Sequence, residues 1–449
     1  MSRHPIIRFA VVTALVAASG CSNGDESEPS STPTTTAEST IGATTPGTTT
    51  STSSPASTTS TPTTAPRPTT TIPVTRPPIA TLVGHGNGTA GVTFSPDGDM
   101  LASSGFDAAV RLWDLSTGSE LAAFEGHSTF DPPTFSPDGT RLASIGFSRV
   151  TEVWDTATGE TLLSLGEPGD PTFIGDAGSV EFSPDGTVIL TTDRSSAAKV
   201  WDATSGELLH TLPYDPPDRV VGFAEFSPDG ARIVTVANGA AFTPTTKIWD
   251  TRTGELLAAI PEETDTAAFS PDGSRLLTYR SYSAALGGPV FQVWDTTTGE
   301  LVTSHPLPSL SSWVVEIRDL GVFSTDGASV LTMSFDLDAG GAAVVAETWD
   351  ATTGELRSTV ELEVAGTCSD MRCSLGSPLL SPDGQTLIVD SRNRDRIELW
   401  DVSTGELRDT LPFAGPGVRL TLSPDGSLLA ATAGPGNPGD EGTIVVWAV

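Results

Sequence analysis

The chain is poor in positive charge. Its 449 residues include 23 Lys and Arg against 56 Asp and Glu, and only Lys199 and Lys247 are lysines. A nucleic-acid partner needs a basic stripe that neutralises phosphates, and none is present. Long apolar runs are missing too: nothing reaches the roughly 18 consecutive apolar residues of a transmembrane helix. Histidine is scarce, with five in all, and no GxSxG phrase occurs, so a Ser–His–Asp hydrolase has little support. The three cysteines, Cys21, Cys368 and Cys373, include no CxxC, and no HxH accompanies them, which leaves a zinc site short of ligands. No segment keeps a helical period, which excludes helical bundles.

What the first residues do contain reads as an export signal. Arg3 and Arg8 precede the apolar run FAVVTALVAA, and Ser19-Gly20-Cys21 ends the segment. The run is too short to span a bilayer and fits a secretory signal over 1–20. Residues 21–78 are almost wholly Ser, Thr, Pro and Ala after the cysteine, a composition that cannot bury enough apolar surface to order itself. That segment is expected to be a disordered tether.

From residue 79 two phrases alternate. The first is FSPDG at 94–98, 135–139, 182–186, 226–230 and 269–273, followed by FSTDG at 323–327 and LSPDG at 380–384 and 422–426. The second is WDxxTGEL and its variants, with Trp at 113, 154, 201, 249, 294, 349, 400 and 447, 41 to 55 residues apart. In SPDG, Pro presets φ, Asp can bond its own backbone and Gly takes the left-handed conformation. Both phrases therefore read as hairpin turns, so each unit supplies four short antiparallel strands. Many of the acids sit in these turns, so the acidity says little about a substrate.

Repeats of this length with WD turns resemble the WD-repeat family of β-propellers. The Gly84–His85 and Gly126–His127 dipeptides and the phrase LASSGFDAAVRLWD at 101–114 strengthen the resemblance. It implies an all-β fold, a single propeller over 79–449 made of four-stranded antiparallel blades. Eight blades are expected, with seven as the alternative if the FSTDG unit is irregular. In this family one blade is stitched from both chain ends. IATLVGH at 79–85 has no Trp strand before it, and VVWAV at the C-terminus has no strand after it. Together they are expected to complete the eighth blade. The resemblance also implies a buried network of His85, Ser103, Asp107 and Trp113 in the first blade. The second blade keeps His127, Ser144 and Trp154 but has Ser148 for the Asp. Trp154, Trp201, Trp249, Trp294, Trp349, Trp400 and Trp447 are read as scaffold. The segment ending at Cys21 resembles the lipobox of bacterial lipoproteins, which implies lipidation of that thiol and anchoring on the outer side of the cytoplasmic membrane.

Loop lengths point to a working surface. The DG and TGE turns barely change in length, and every insertion falls in the alternate connections, which lie on the opposite face of such a ring. Variable loops on a rigid frame are where recognition concentrates. Candidate contacts there are Trp313, Phe173, Tyr214, Phe242, Arg280, Tyr282 and Phe335, since aromatic and Arg side chains are common hot spots. Cys368 and Cys373 are expected to pair as a disulfide outside the cytoplasm. FDLDAGGAAVVAE at 335–347 matches part of a calcium loop, but Gly340 stands where a ligand is needed. No metal or cofactor is expected. The leading expectation is a non-catalytic, surface-anchored module holding a protein partner or a wall polymer. The rival expectation is a propeller enzyme, or an envelope-assembly lipoprotein, with a ligand or metal site at the mouth of the central channel.

Overall fold

A computed structural model describes residues 76–125, 132–146, 150–166, 178–192, 197–214, 220–238, 246–261, 264, 266–280, 290–306, 321–336, 343–362, 379–391, 396–413, 418–432 and 442–449. Eight four-stranded antiparallel sheets form a ring, a β-propeller. Blades 1 to 7 span 89–125, 134–165, 180–213, 220–260, 266–306, 321–362 and 379–412, each with its strands in sequence order. Blade 8 takes three strands from 419–448 and its fourth from Ala80–His85. The FSTDG unit is a regular blade, so the count is eight. The described residues contain no helix long and apolar enough to cross a membrane.

The second strands of the blades are short runs of small, branched and apolar residues buried on both faces, as in RLASI and VILTT, and turns of fixed chemistry bound them. In blade 1 the Gly98 N–H donates to the Ser95 carbonyl at 2.9 Å, and the Ser95 hydroxyl donates to Asp97 at 2.6 Å. Bonds of the same kind recur in the other seven SPDG-type turns, at Ser136, Ser183, Ser227, Ser270, Ser324, Ser381 and Ser423. In the WD turns the Asp carboxylate accepts backbone N–H groups two or three residues on, as Asp155 does from Ala157 and Thr158. These bonds, led at Asp114 and Asp401 by the Ser116 and Ser403 hydroxyls, hold the turn carboxyls Asp114, Asp155, Asp202, Asp250, Asp295, Asp350 and Asp401 below the usual carboxylate range.

Apolar cores fill the interfaces between neighbouring blades. Phe124 and Leu112 of blade 1 meet Phe135 and Trp154 of blade 2, and Leu165 of blade 2 meets Phe182 and Trp201 of blade 3. Leu212 and Phe226 join blades 3 and 4, and Phe223 and Trp294 join blades 4 and 5. Blades 5, 6 and 7 share Phe291, Phe323 and Trp400. Phe413 and Trp447 join blades 7 and 8. Leu82 and Ile444 of blade 8 pack on Phe94 and Trp113 of blade 1, which closes the ring.

The closing strand pairs Ala80 with Val446, Thr81 with Val445 and Leu82 with Ile444, then bulges before His85 reaches Gly442. Ahead of it Arg76 binds Asp409 of blade 7 at 2.6 Å and the Ala448 carbonyl at 3.0 Å. Gly84 is required at the bulge, because a Cβ there would lie 2.8 Å from the Trp113 ring. The eighth blade thus uses both ends of the repeat region and leaves no free sheet edge at the seam.

Candidate functional site: the variable face and the seam

All eight SPDG-type turns and all seven WD turns lie among the described residues, and they occupy one end of the blades. The connections between second and third strands, and between a fourth strand and the next blade, lie at the other end. Every internal segment outside the described residues is one of these connections. Trp313, Phe173, Phe242, Tyr282, Cys368, Cys373 and His127 belong to such segments, and Cys21 to the N-terminal one; all lie outside the described residues. Phe335 is on the strand Ser329–Asp336, with its side chain outside them.

Two of the candidate contacts turn inward. Tyr214 follows the last strand of blade 3 and is buried. Its hydroxyl donates to the Thr235 carbonyl at 2.7 Å and lies 2.8 Å from the Thr235 hydroxyl. The Lys247 ammonium sits 4.3 Å from its ring centre. Arg280 ends the second strand of blade 5 and is also buried. A loop-edge position does not decide direction when the neighbouring blade offers an apolar shelf, as Val221 and Ala237 do for Tyr214.

The blade 1 network is present in full. His85 Nδ1–H donates to Asp107 at 2.8 Å, and Nε2 accepts from the Ser103 hydroxyl at 2.8 Å. That hydroxyl oxygen accepts the Trp113 indole N–H at 2.8 Å. The Gly86 N–H and Arg111 also reach Asp107, at 3.0 and 3.3 Å. Burial pushes the His85 pKa down, against the raising effect of Asp107. Burial opposes ionisation of Asp107, yet the bonds from His85 and Gly86 and the Arg111 guanidinium hold it below its ordinary value. Burial thus favours the neutral imidazole, and the network ties the closing strand to the second and third strands of blade 1.

The other blades keep fragments. Trp201, Trp249 and Trp294 donate to Thr191, Thr235 and Thr278 at 2.8 Å, and Trp349 donates to Thr332 at 2.9 Å. Val389 and Ala431 stand at this position in blades 7 and 8, and the buried N–H groups of Trp400 and Trp447 have no acceptor among the described residues. His305 of blade 5 lies against the Trp349 ring of blade 6, with centroids 4.7 Å apart, and burial lowers its pKa.

One pair was not foreseen from the sequence. Glu181 and Glu225 precede the Phe of FSPDG on the first strands of blades 3 and 4, which are the inner strands of the ring. Glu181 accepts the Phe226 N–H across the blade interface at 3.2 Å. Burial, and then the charge of Glu181, push the Glu225 pKa well up. Both effects favour the protonated form of Glu225. Only these two blades carry Glu there; Thr93, Thr134, Ala268, Val322, Leu379 and Thr421 fill the other six places, and that contrast was the available signal. Among the described residues no group of three or more His, Cys, Asp or Glu could hold a metal ion.

Comparison with known proteins agrees with this geometry. The WD domain, G-beta repeat model matches residues 76–114 and 172–202. The chain is 44% identical over 54 residues to the Notchless protein homolog of Arabidopsis thaliana, covering 12% of this chain and 11% of the relative. It is 45% identical over 49 residues to the small ribosomal subunit protein RACK1z of the same plant and to RACK1 of Brassica napus, covering 11% of this chain and 15% of each relative. These matches span under a sixth of the relatives' length. Among solved structures, the computationally designed Ika8 protein superposes with a TM-score of 0.57 at 21% identity, over 83% of this chain and 99% of that one, a likeness of fold alone. The chain thus carries WD repeats in its two matched segments, within a propeller of eight blades.

Proposed function

We propose that this propeller is a non-catalytic binding scaffold that holds a protein partner on its variable face. The observation that carries the reading is segregation. Fifteen turns of near-identical chemistry occupy one end of the blades, and all length variation occupies the other. A ring braced at every blade interface is a rigid frame for such loops. The relatives matched over about one blade include proteins named for the small ribosomal subunit, a macromolecular assembly, which agrees with a docking role. We assign Trp313, in the connection between blades 5 and 6, as the principal anchor. A wall polymer is the second class of partner on the same face. We further propose that the chain is exported and anchored through a lipid on Cys21, with the Ser/Thr/Pro-rich segment as a spacer.

A rival reading, an enzyme or a ligand site at the centre of the ring, is favoured by one observation, the Glu181–Glu225 pair. The test is affinity capture with the immobilised full chain beside Trp313→Ala and Glu225→Gln versions. Loss of a captured protein with Trp313→Ala and retention with Glu225→Gln supports the scaffold. Retention with Trp313→Ala, or loss with Glu225→Gln in a folded protein, moves the site to the centre of the ring. For the anchor, metabolic labelling with an alkyne fatty acid should mark the chain and fail to mark Cys21→Ala; equal labelling of both would refute the lipid.

A further inference from the structure

The outer strands carry an apolar strip that the variable face does not explain. Leu208 and Leu209 of blade 3, Leu256 and Leu257 of blade 4, and Leu301 and Val302 of blade 5 are 37–48% exposed. Such large apolar side chains normally stand singly on a surface; three consecutive pairs are a patch. The pairs join into one strip because each outer strand tucks under the next blade's turn. A Cβ on Gly254 of blade 4 would lie 2.8 Å from His210 of blade 3, and one on Gly299 of blade 5 would lie 2.9 Å from Ala258 of blade 4. The turn that covers one strand thus leads directly into the next Leu pair.

The strip has ends. In blade 2 Thr161 precedes Leu162, and in blades 6 and 7 Arg357 and Arg408 replace the second apolar residue. Within it, each pair follows an exposed carboxylate, Glu207, Glu255 or Glu300, and Arg252 is the one cation in the three WD turns. An apolar line edged by carboxylates is complementary to an apolar stripe flanked by Lys or Arg. A second copy of this chain, at a net charge of −33, and an anionic lipid surface would both be repelled.

We propose that the circumference of blades 3 to 5 is a second docking surface, fitted to a basic amphipathic helix of a partner protein. The helix lays its apolar stripe on the three pairs, and its cations meet Glu207, Glu255 and Glu300. This surface is separate from the loops assigned above, so either can fail without the other.

The probe is a fluorescent amphipathic helical peptide of Leu and Lys, about 18 residues long, set against Leu/Glu and scrambled Leu/Lys peptides of equal length. Anisotropy titrations use the full chain, the triple variant L209S/L257S/V302S, the charge variant E207Q/E255Q/E300Q, and L121S/L162S as a control on blades 1 and 2. The triple variant should weaken binding by about tenfold or more and the charge variant by a few-fold with a shallower salt dependence, while the control changes it by under about twofold. Circular dichroism checks that each variant is folded. Equal weakening by triple and control variants, equal binding of the scrambled or Leu/Glu peptide, or no effect of the triple variant overturns the proposal. A dimer in sedimentation that the triple variant abolishes, or vesicle binding lost with it, would assign the strip to a second copy or a membrane and overturn it as well.

Discussion

Blades 4 and 8 solve the same packing problem in opposite ways. Each receives an aromatic side chain from the preceding blade against its own Trp. In blade 4 the visitor is Tyr214, and Thr235 binds both its hydroxyl and the Trp249 indole. In blade 8 the visitor is Phe413, edge-on to Trp447 with centroids 5.9 Å apart, and Ala431 stands where the Thr would be. The first arrangement satisfies every polar atom it buries. The second is wholly apolar except for one indole N–H that has no acceptor among the described residues. Blade 1 reaches the polar solution by a third route, with His85 from the closing strand in the visitor's place. The position is therefore a socket for a side chain from the neighbouring element. The WD signature marks the Trp and leaves the visitor free to vary.

Breaking the seam should cost most. Leu82 is fully buried between blades 8 and 1, so Leu82→Ala should lower unfolding free energy by about 2–5 kcal/mol in urea melts. A loss no larger than that of Val83→Ala, at an exposed site, would show that ring closure contributes little. Removing the shared acceptor comes next. Thr235→Val strands the Trp249 N–H and should cost about 1–3 kcal/mol. The reverse exchange in blade 7, Val389→Thr, gives Trp400 an acceptor and should gain about 1 kcal/mol. The double variant F413Y/A431S rebuilds the blade 4 triad in blade 8 and should also gain about 1 kcal/mol, with less from either single change. Matching destabilisation by both single changes would mean that blade 8 has no room for the polar solution.

The smallest effect is a slope with pH. His85 and His305 have pKa values lowered by burial, so the unfolded chain takes up protons that the folded chain refuses. Stability should be full above the unfolded histidine value, near 6.5, and fall as pH drops below it. Asp107, lowered in the fold, adds a further loss as pH falls below the ordinary carboxyl range. Melts at stepped pH should show the histidine part of this slope reduced in His85→Gln; an unchanged slope would remove His85 as a contributor.

The fold was readable in the sequence because each strand is bounded by a turn whose residues dictate backbone angles. Those turns recur often enough to count blades and to expose the split one. The sequence pattern also pointed to the residues of the blade 1 hydrogen-bond network. Side-chain direction was not readable. Tyr214 and Arg280 sit at loop borders, and both are buried; for Tyr214 the neighbouring blade decides the direction. The Glu181–Glu225 pair escaped for a related reason. The two carboxylates are 44 positions apart in sequence, and they meet only because identical registers place the same position of adjacent blades side by side.

The claim that the variable face is the working surface is tested most directly by site-specific photocrosslinking. A benzophenone side chain placed at Trp313 and, in a second version, at Asp97 on the tight-turn face reports which face touches a partner in extract. The account predicts a discrete crosslinked protein from position 313 and none from position 97. Crosslinks from position 97 alone would contradict it and move recognition to the face with uniform turns.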